Sequence, residues 1–563
     1  MELFLKGRKI MNRRGNNKNY TKGHDRRGRP NILVILVDQL RFPQGSFDQA
    51  TLDQAAPNLA KLRSESVSFD AHYAAATACS PSRSTLLTGL YTHQNAMFLT
   101  NVEGLAGVPP TPDLNPNFPT WGSILQGDFG YRTFWWGKWH LSIDCPLDRY
   151  GFQRDALPCP SPTGGPGEGL NVDPTIADLF IDWLEGYDDG RPWCTTVSLV
   201  NPHDIQWFPK YSKQTTGEDS PPPIPQFHEG LPTNFERWPD ALFQQNKPRA
   251  QAAWALICDL LFGDMPYRGP DFEELWYEFL DLYYLTTQYV DEQIGRVLRA
   301  LEQSDYAKNT IVIFTADHGE YGGANGLRGK AFAVYEGGIH VPLYVKDPTG
   351  RFVPPDQAGT SRDGLTSHVD ILPLLLTLAS GSNKWRDRFQ YAQWKGRANL
   401  AAMLRSHSAK GRNYVLHTSD ENIPEEGPKV GIPYCDVLVT KVPPPEPLPN
   451  LPIPTHVIGY RTKYTKLGVY SRWAPGTIQI TTDGQEYELY DYAKYGMGEV
   501  TNNAPGGSMP EPKLFADLYR ELFDPQKGAL ATELRQPLPR FLQPVQRQAI
   551  ADYLAFEDGV QRC

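Results

Sequence analysis

The stretch Asn31-Ile32-Leu33-Val34-Ile35-Leu36-Val37, followed at once by Asp38-Gln39, decides the fold class of this chain. After the asparagine every residue of the stretch is aliphatic, and a strand that is apolar on both faces is typical of a parallel sheet covered by helices. Thr310–Thr315 and Thr195–Val200 are similar buried-strand candidates. Helical stretches separate these segments, as at 283–301, where the apolar side chains lie near one helix face. The alternation predicts an α/β fold, a doubly wound domain whose parallel strands are covered by helices.

The length of 563 residues exceeds that of one ordinary domain, and we expect two. We place a large N-terminal domain at 30–405, with an insertion at about 209–275, rich in Pro, Gly and charge, that shapes access to its site. We assign 406–563 to a smaller C-terminal α+β domain and tail, because 460–470 and 484–492 alternate as antiparallel strands do. The longest aliphatic run has six residues against about 20 for a membrane helix, so no transmembrane span is predicted.

Charge is unevenly placed along the chain. The formal net charge is −9, but residues 1–30 carry +8, which leaves −17 for the rest. An acidic body argues against an enzyme that binds nucleic acid, since phosphate backbones are held by clustered Lys and Arg. We predict that residues 1–29 form a basic, disordered leader. Neither a nucleic-acid partner nor a membrane partner is expected.

The seven cysteines are sparse and odd in number, and no Cys-x-x-Cys pair occurs among them. Such a set fits a reducing compartment better than a disulfide framework. We therefore predict a cytoplasmic protein.

Two polar pairs follow two of the predicted central strands. Asp38-Gln39 comes directly after the first strand, and Asp317-His318 comes just after the strand at 310–315. In open α/β sheets, ligands bind at the carboxyl ends of the strands. A helix-cap or turn aspartate is the alternative interpretation for Asp38 alone, and a single Asp-His pair is weak evidence, but a buried carboxylate requires compensation. Together, two carboxylates, an amide oxygen and an imidazole predict a divalent-cation site.

The segment Cys79-Ser80-Pro81-Ser82-Arg83-Ser84-Thr85-Leu86-Leu87-Thr88-Gly89 puts a cysteine at a predicted helix start. Proline suits the first helical turn, and glycine suits the end of the helix. The free backbone N–H groups and the helix dipole then favour an anion near Cys79. A bare thiolate is an odd ligand for a hard cation, because sulfur and oxygen sites select different metals.

The pattern Cys79-x-Pro81-x-Arg83, followed by Leu-Thr-Gly, resembles the signature of the type I sulfatases in the alkaline phosphatase superfamily. In that family the cysteine is oxidised after translation to formylglycine. The similarity runs from about residue 30 to residue 505. It implies an alkaline phosphatase-like fold, with a large mixed, mostly parallel sheet sandwiched by helices, and a sulfuric ester hydrolase. It also implies maturation by a formylglycine-generating enzyme. Further motifs that resemble those of the family are Gly137-Lys138-Trp139-His140, Asn201-Pro202-His203-Asp204, Gly329-Lys330, Val341-Pro342-Leu343 and Glu488-Leu489-Tyr490-Asp491.

The resemblance implies a mechanism in which the formylglycine hydrates to a geminal diol. One hydroxyl, bound to the cation, attacks sulfur, and loss of the second diol proton expels sulfate and regenerates the aldehyde. The implied metal ligands are Asp38, Gln39, Asp317, His318 and residue 79. Besides Cys79, the resemblance implies that Arg83 holds the diol and that Lys138 and Lys330 stabilise the sulfuryl oxygens. His203, together with Lys330, is implied to bind sulfate and to protonate the departing alcohol. His140 is the implied base that takes the second diol proton.

Gln39 and His318 depart from the commonest sulfatase pattern, which has a second aspartate and an asparagine at these places. The departure resembles choline sulfatases and phosphonate monoester hydrolases. Hydrolysis of a small-molecule sulfate monoester is the expected function, and a phosphonate monoester hydrolase or phosphodiesterase on the same scaffold is the alternative. The intact Cys79 and Arg83 argue against an inactive binding protein. Calcium is the expected cation, with manganese or zinc as alternatives because imidazole accepts them. A homo-oligomer is left open.

Overall fold

A computed structural model of the chain describes residues 28–45, 47–103, 109–153, 162–212, 230–235, 247–267, 269–270, 272–421, 453–499 and 511–562. Residues 1–27 of the predicted leader, and much of the predicted insertion, lie outside the described residues. The predicted two-domain division stays a prediction.

The strands of the described ranges are β1 (Asn31–Val37), β2 (Val67–Phe69), β3 (His72–Tyr73), β4 (Ala76–Thr77), β5 (Arg132–Gly137), β6 (Trp193–Ser198), β7 (Thr310–Ala316), β8 (Leu343–Lys346), β9 (Ser361–Arg362), β10 (Thr366–Ser367), β11 (Tyr414–Ser419), β12 (His456–Thr462), β13 (Thr465–Ser471) and β14 (Glu486–Asp491).

The α-helices of the same ranges are α1 (Gln49–Ala55), α2 (Pro57–Ser64), α3 (Cys79–Thr88), α4 (Thr92–Asn95), α5 (Trp121–Phe129), α6 (Glu168–Gly186), α7 (Arg249–Phe262), α8 (Phe272–Gln303), α9 (Glu336–Ile339), α10 (Ile371–Ser380), α11 (Leu400–Arg405), α12 (Tyr492–Tyr495), α13 (Pro512–Phe523) and α14 (Gln543–Arg562).

The large sheet has the strand order β5-β6-β1-β7-β8-β2-β9. Strands β5, β6, β1 and β7 run parallel, and β8 is antiparallel to β7 and to β2. Alternate side chains of β1 enter two different cores, since Ile32 belongs to one apolar cluster and Leu33 to the other. The predicted mixed, mostly parallel sheet between helix layers is confirmed.

The smaller sheet has the order β14-β13-β12-β11-β4, and β11 to β14 are antiparallel. Its edge strand β4 comes from the N-terminal half of the chain and pairs parallel with β11, Thr77 opposite Ser419. Because α3 begins two residues after β4, this pairing carries the start of α3 to the end of β11. The two sheets therefore meet at Cys79.

Several element boundaries differ from the sequence prediction. The stretch 460–470, predicted as strand throughout, is a hairpin of β12 and β13. Its turn is closed by the Thr462 hydroxyl, which accepts hydrogen bonds from the backbone N–H of Tyr464 and of Thr465. Part of the predicted insertion forms helix α7, which packs Trp254 against Phe332. In the described part of the chain, no helix is long and apolar enough to cross a membrane.

Candidate active site

The register of the central strands brings the two predicted aspartates together. Strands β1 and β7 pair so that Val37 lies opposite Ala316, and each aspartate is the next residue. The backbone N–H of Asp317 donates to the carbonyl of Val37 at 3.1 Å, and that of Gln39 donates to Oδ1 of Asp317 at 3.1 Å. Both carboxylates are fully buried at the carboxyl end of the sheet.

Helix α3 delivers Cys79 to these carboxylates. Its Sγ lies 3.8 Å from Oδ1 of Asp38 and 3.2 Å from Nε2 of His318. The helix ends at Thr88, before Gly89, as the sequence predicts. The ligand atoms of Asp38, Cys79, Asp317 and His318 all lie within 4.8 Å of one another.

The imidazole of His318 has a defined orientation. Its Nδ1 lies 3.1 Å from the carbonyl oxygen of Gly319, which can only accept a hydrogen bond. Nδ1 therefore carries a proton, and Nε2, which faces Cys79, is the ring nitrogen left to bind a cation. Together with the carboxylate oxygens of Asp38 and Asp317, this is a donor set that suits a divalent cation.

Arg83 lies one helical turn after Cys79 and connects the surrounding elements. It donates from Nε to Oδ2 of Asp317 at 2.8 Å and from Nη2 to Oδ2 of Asp38 at 3.0 Å. Its Nη1 donates to the carbonyl of Lys138 and to the hydroxyl of Ser198, both at 2.9 Å. The guanidinium thus orients both carboxylates while balancing part of their charge.

The position of Lys138 depends on the close approach of β5 and β6 at their carboxyl ends. Gly137, at the end of β5, has φ 91°, and a Cβ on it would lie 2.0 Å from the carbonyl oxygen of Ser198. Glycine thus permits the backbone N–H of Lys138 to donate to that oxygen at 2.9 Å. The ammonium then lies 2.8 Å from Oδ2 of Asp38.

Two histidines complete the wall around Cys79. His140 and His203 are 5% and 6% exposed, and the side chains of both lie close enough to Cys79 to interact with it. Gly164 lies against this wall, because a Cβ on it would be 2.6 Å from Cε1 of His203 and 2.8 Å from Nζ of Lys138. The Gly164 carbonyl accepts a hydrogen bond from Nε1 of Trp207 at 2.6 Å, which holds the loop in place.

Lys330 closes the site from the loop after β7. Its ammonium donates to Oε1 of Gln39 at 2.7 Å. All ten residues that the sequence singles out therefore lie around one buried centre, none more than 6% exposed: Asp38, Gln39, Cys79, Arg83, Lys138, His140, His203, Asp317, His318 and Lys330. Their individual roles stay predictions.

The sulfatase family profile matches residues 30–382 of this chain. The chain belongs to the sulfatase family. The predicted enzyme class, a sulfuric ester hydrolase, is confirmed by this membership and by relatives that are named sulfatases.

Relatives of this sulfatase are identical to it at 27% of the aligned residues in two examples. It is 27% identical over 391 residues to the uncharacterized sulfatase YidJ of Escherichia coli, covering 62% of this chain and 68% of the relative. It is 27% identical over 394 residues to the choline-sulfatase of Rhizobium meliloti, again covering 62% and 68%. In fold it is similar to the phosphonate monoester hydrolase of Agrobacterium radiobacter, with TM-score 0.58, 20% identity, and coverage of 88% of this chain and 95% of that one.

The two buried carboxyls of this sulfatase, Asp38 and Asp317, have pKa values that are shifted in opposite directions. Burial opposes the charged form of Asp38, but Lys138 and the neighbouring cationic groups hold the pKa of that carboxyl well below its usual range. Burial and the adjacent Asp38 charge raise the pKa of Asp317 to about 6. A divalent cation between the two carboxylates would relieve this repulsion.

Two carboxylates beside the site were given no role from the sequence. Glu320 is fully buried and accepts a hydrogen bond from Nε2 of Gln39 at 2.5 Å. Glu421, half-buried after β11, accepts one from the hydroxyl of Thr100 at 2.8 Å and one from the backbone N–H of Ala78 at 3.4 Å. Glu320 could have been found from its place in the Asp317-His318-Gly319-Glu320 motif. Glu421 has no such signal, because the pairing of β4 with β11 brings it there.

Proposed function

We propose that this sulfatase hydrolyses sulfate monoesters of small alcohols, with a formylglycine made from Cys79 as nucleophile and one divalent cation. The observation that carries the proposal is the position of Cys79, whose Sγ at the start of α3 faces Asp38 and His318. Family membership supports sulfate ester hydrolysis in general. The complete set of basic residues around Cys79 argues against an inactive binding protein.

The donor set fits a hard or borderline divalent ion. Asp38, Asp317 and His318 would hold it, with the amide oxygen of Gln39 and residue 79 as further ligands. When bound, the cation lowers the pKa of a hydroxyl on residue 79 and polarises the ester oxygens. Calcium is our first choice, because three of the side-chain ligands offer oxygen, and manganese or zinc are the alternatives that His318 allows.

The other residues act on the substrate and on residue 79. Arg83 holds the oxygens of the hydrated residue 79 and neutralises charge there, since it reaches both aspartates from the same helix. Lys138 and Lys330 donate to the oxygens of the sulfuryl group as charge develops on them. His140, which interacts with Cys79, takes the proton from the second hydroxyl of residue 79.

Proton supply to the leaving alcohol is divided between His203 and Lys330. Burial, then Lys330 and Lys138, lower the pKa of His203 to about 3, so its imidazole is neutral before substrate binds. Burial acts to lower the pKa of Lys330, but the charges at Cys79 before its conversion and at Asp38 and Asp317 raise it overall, so the ammonium stays charged. Lys330 is thus the charged donor, and His203 becomes one only when the substrate anion raises its pKa.

A phosphonate monoester hydrolase or phosphodiesterase is the second candidate. The side chain at position 39 is an amide, so Asp38 and Asp317 supply the two negative charges of the cation ligands. Arg83, Lys138 and Lys330 then leave the pocket positive, and such a pocket attracts any singly charged ester anion. The phosphonate monoester hydrolase of similar fold fits this alternative.

Maturation and location are further proposals. We infer that a formylglycine-generating enzyme converts Cys79 before the helix start is buried, because Cys79 is only 2% exposed in the folded chain. The described cysteines Cys79, Cys145, Cys194 and Cys258 are all free thiols, which supports the predicted cytoplasmic location. A homo-oligomer stays a proposal without a surface assigned to it.

One preparation tests both candidates. Peptide mass spectrometry should find residue 79 about 18 Da lighter than cysteine, the change expected for conversion of the thiol side chain to an aldehyde. The same protein should hydrolyse 4-nitrophenyl sulfate, with a smaller kcat/KM for 4-nitrophenyl phenylphosphonate. Full activity with unmodified Cys79 would contradict the nucleophile. A tenfold or greater preference for the phosphonate, about 1.4 kcal/mol, would make the second candidate the main activity.

A further inference from the structure

The carboxylate of Glu320 lies directly behind the site. It is completely buried, and it accepts three N–H hydrogen bonds. One oxygen, Oε1, accepts from the backbone of Gly322 at 3.0 Å and from that of Gly329 at 2.6 Å. The other oxygen, Oε2, accepts from Nε2 of Gln39 at 2.5 Å. Every one of these contacts requires an acceptor, which a carboxylate supplies without a donor of its own.

We propose that Glu320 is a positioning residue that fixes which end of the Gln39 amide faces the metal site. Because a carboxylate can only accept, it holds Nε2 of Gln39 on its own side and turns Oε1 toward Lys330. The ammonium of Lys330 can only donate, so it selects the same orientation from the opposite side. This inference rests on the proposed function, in which Gln39 is a ligand of the cation.

The same carboxylate supports the loop that carries Lys330. Gly329 donates its backbone N–H to Glu320, and Lys330 is the next residue. A single buried group thus sets the position of Lys330 and the orientation of the amide that Lys330 contacts. Arrangements of this kind, in which an outer group orients a ligand, are usual around metal sites.

The pair also gives a physical reason for an amide at position 39. An acidic side chain there would set a second carboxylate against Glu320, where the present contact is 2.5 Å, and the two could not both ionise in a buried site. Gln39 and Glu320 are therefore complementary, one as donor and one as acceptor. Exchanging the two functional groups should preserve that relationship, whereas changing either one alone should break it.

The experiment compares Glu320→Gln, Gln39→Glu and the double exchange Gln39→Glu/Glu320→Gln, all of which keep side-chain size. In Glu320→Gln, the two glycine N–H groups hold the new amide oxygen, so its NH2 group faces Nε2 of Gln39. The Gln39 amide must then turn its own NH2 group toward Lys330 and the cation. We expect the affinity for Ca²⁺, measured calorimetrically on chelator-treated protein, to fall at least tenfold.

The double exchange should recover Ca²⁺ affinity to within about threefold of that of the wild-type protein. The melting temperature of the metal-free protein should recover as well. The matched control is Glu488→Gln, which alters a fully buried carboxylate that accepts from Gln251 at 2.6 Å outside the site, and it should leave Ca²⁺ affinity unchanged. Wild-type affinity in Glu320→Gln, or a double exchange no better than that variant, would overturn the positioning role alone. A wild-type protein that binds no divalent cation and cleaves no sulfate ester would overturn the proposed function as well.

Discussion

Nε2 of His318 lies 3.2 Å from Sγ of Cys79, and the other ring nitrogen donates to the carbonyl of Gly319. The imidazole therefore presents Nε2 to the residue that we propose as nucleophile. His318 follows β7 and Cys79 starts α3, so this contact joins the sheet to the helix that carries the sulfatase signature. In the proposed cation site His318 is the nitrogen ligand, so we expect it to influence which metal binds.

His318→Asn should shift metal preference. Replacing the imidazole by an amide exchanges a nitrogen ligand for an oxygen ligand, which favours calcium over zinc. We expect the ratio of Zn²⁺ to Ca²⁺ affinity to fall at least tenfold, as measured by competition against a metal indicator. His72→Asn, at a buried histidine that bonds Thr366 outside the site, is the control and should leave the ratio unchanged. An unchanged ratio in His318→Asn would mean that His318 is not a ligand.

Removing either aspartate should abolish metal binding and activity together. Asp38→Ala or Asp317→Ala takes away one of the two negative charges that face Cys79, and it leaves Arg83 without one carboxylate partner. We expect kcat/KM for 4-nitrophenyl sulfate to fall by a factor of 100 or more, with metal content near zero by elemental analysis. Full turnover by chelator-treated wild-type protein would refute this assignment.

Gly164→Ala should impair catalysis far more than the substitution Gly165→Ala at the neighbouring residue. The new Cβ would lie 2.6 Å from His203 and 2.8 Å from Lys138, so both side chains must move, and the φ of 101° adds strain. We expect a loss of at least tenfold in kcat/KM. At Gly165 a Cβ would come no closer than 3.9 Å to any atom, so Gly165→Ala should stay within about twofold of wild type. Equal effects of the two substitutions would show that the loop does not contact the working site.

Glu421 should impose a pH dependence on substrate capture. Burial raises the pKa of Glu421, to about 7 in the chain with unconverted Cys79, whose charge also raises it, while the hydrogen bond from Thr100 and the charge of Lys330 lower it. The carboxyl is neutral below that pH and becomes negative above it, where it repels the substrate anion. We expect kcat/KM to fall roughly threefold to tenfold between pH 6 and pH 8.

Glu421→Gln keeps the neutral form at every pH, so its kcat/KM should be flat over this range and should exceed that of wild type at pH 8. The control is Glu302→Gln, at a surface glutamate paired with Lys61, and it should keep the wild-type profile. A fall that persists in Glu421→Gln would assign the titration to another group.

The sequence by itself determined the central strands and the residues of the site. The uninterrupted aliphatic run of β1 predicted a strand buried on both faces, and the aspartates that follow β1 and β7 meet because those strands pair in parallel. The spacing from Cys79 to Arg83 put both side chains on one face of a helix. These are local properties, because a strand or a helix turn fixes the relation of residues a few positions apart.

The tertiary structure alone decided how distant segments complete that site. The pairing of β4 with β11 brings Glu421 to the start of α3, and no local pattern in the sequence encodes a pairing across more than 300 residues. Likewise, the low pKa of His203 arises from burial beside two lysines of other loops. The orientation of the Gln39 amide depends on Glu320 and Lys330, which follow β7 and lie about 280 to 290 residues further along the chain. Burial, electrostatic interactions and the direction of a hydrogen bond all depend on which residues are neighbours in space, and only the folded chain defines those neighbours.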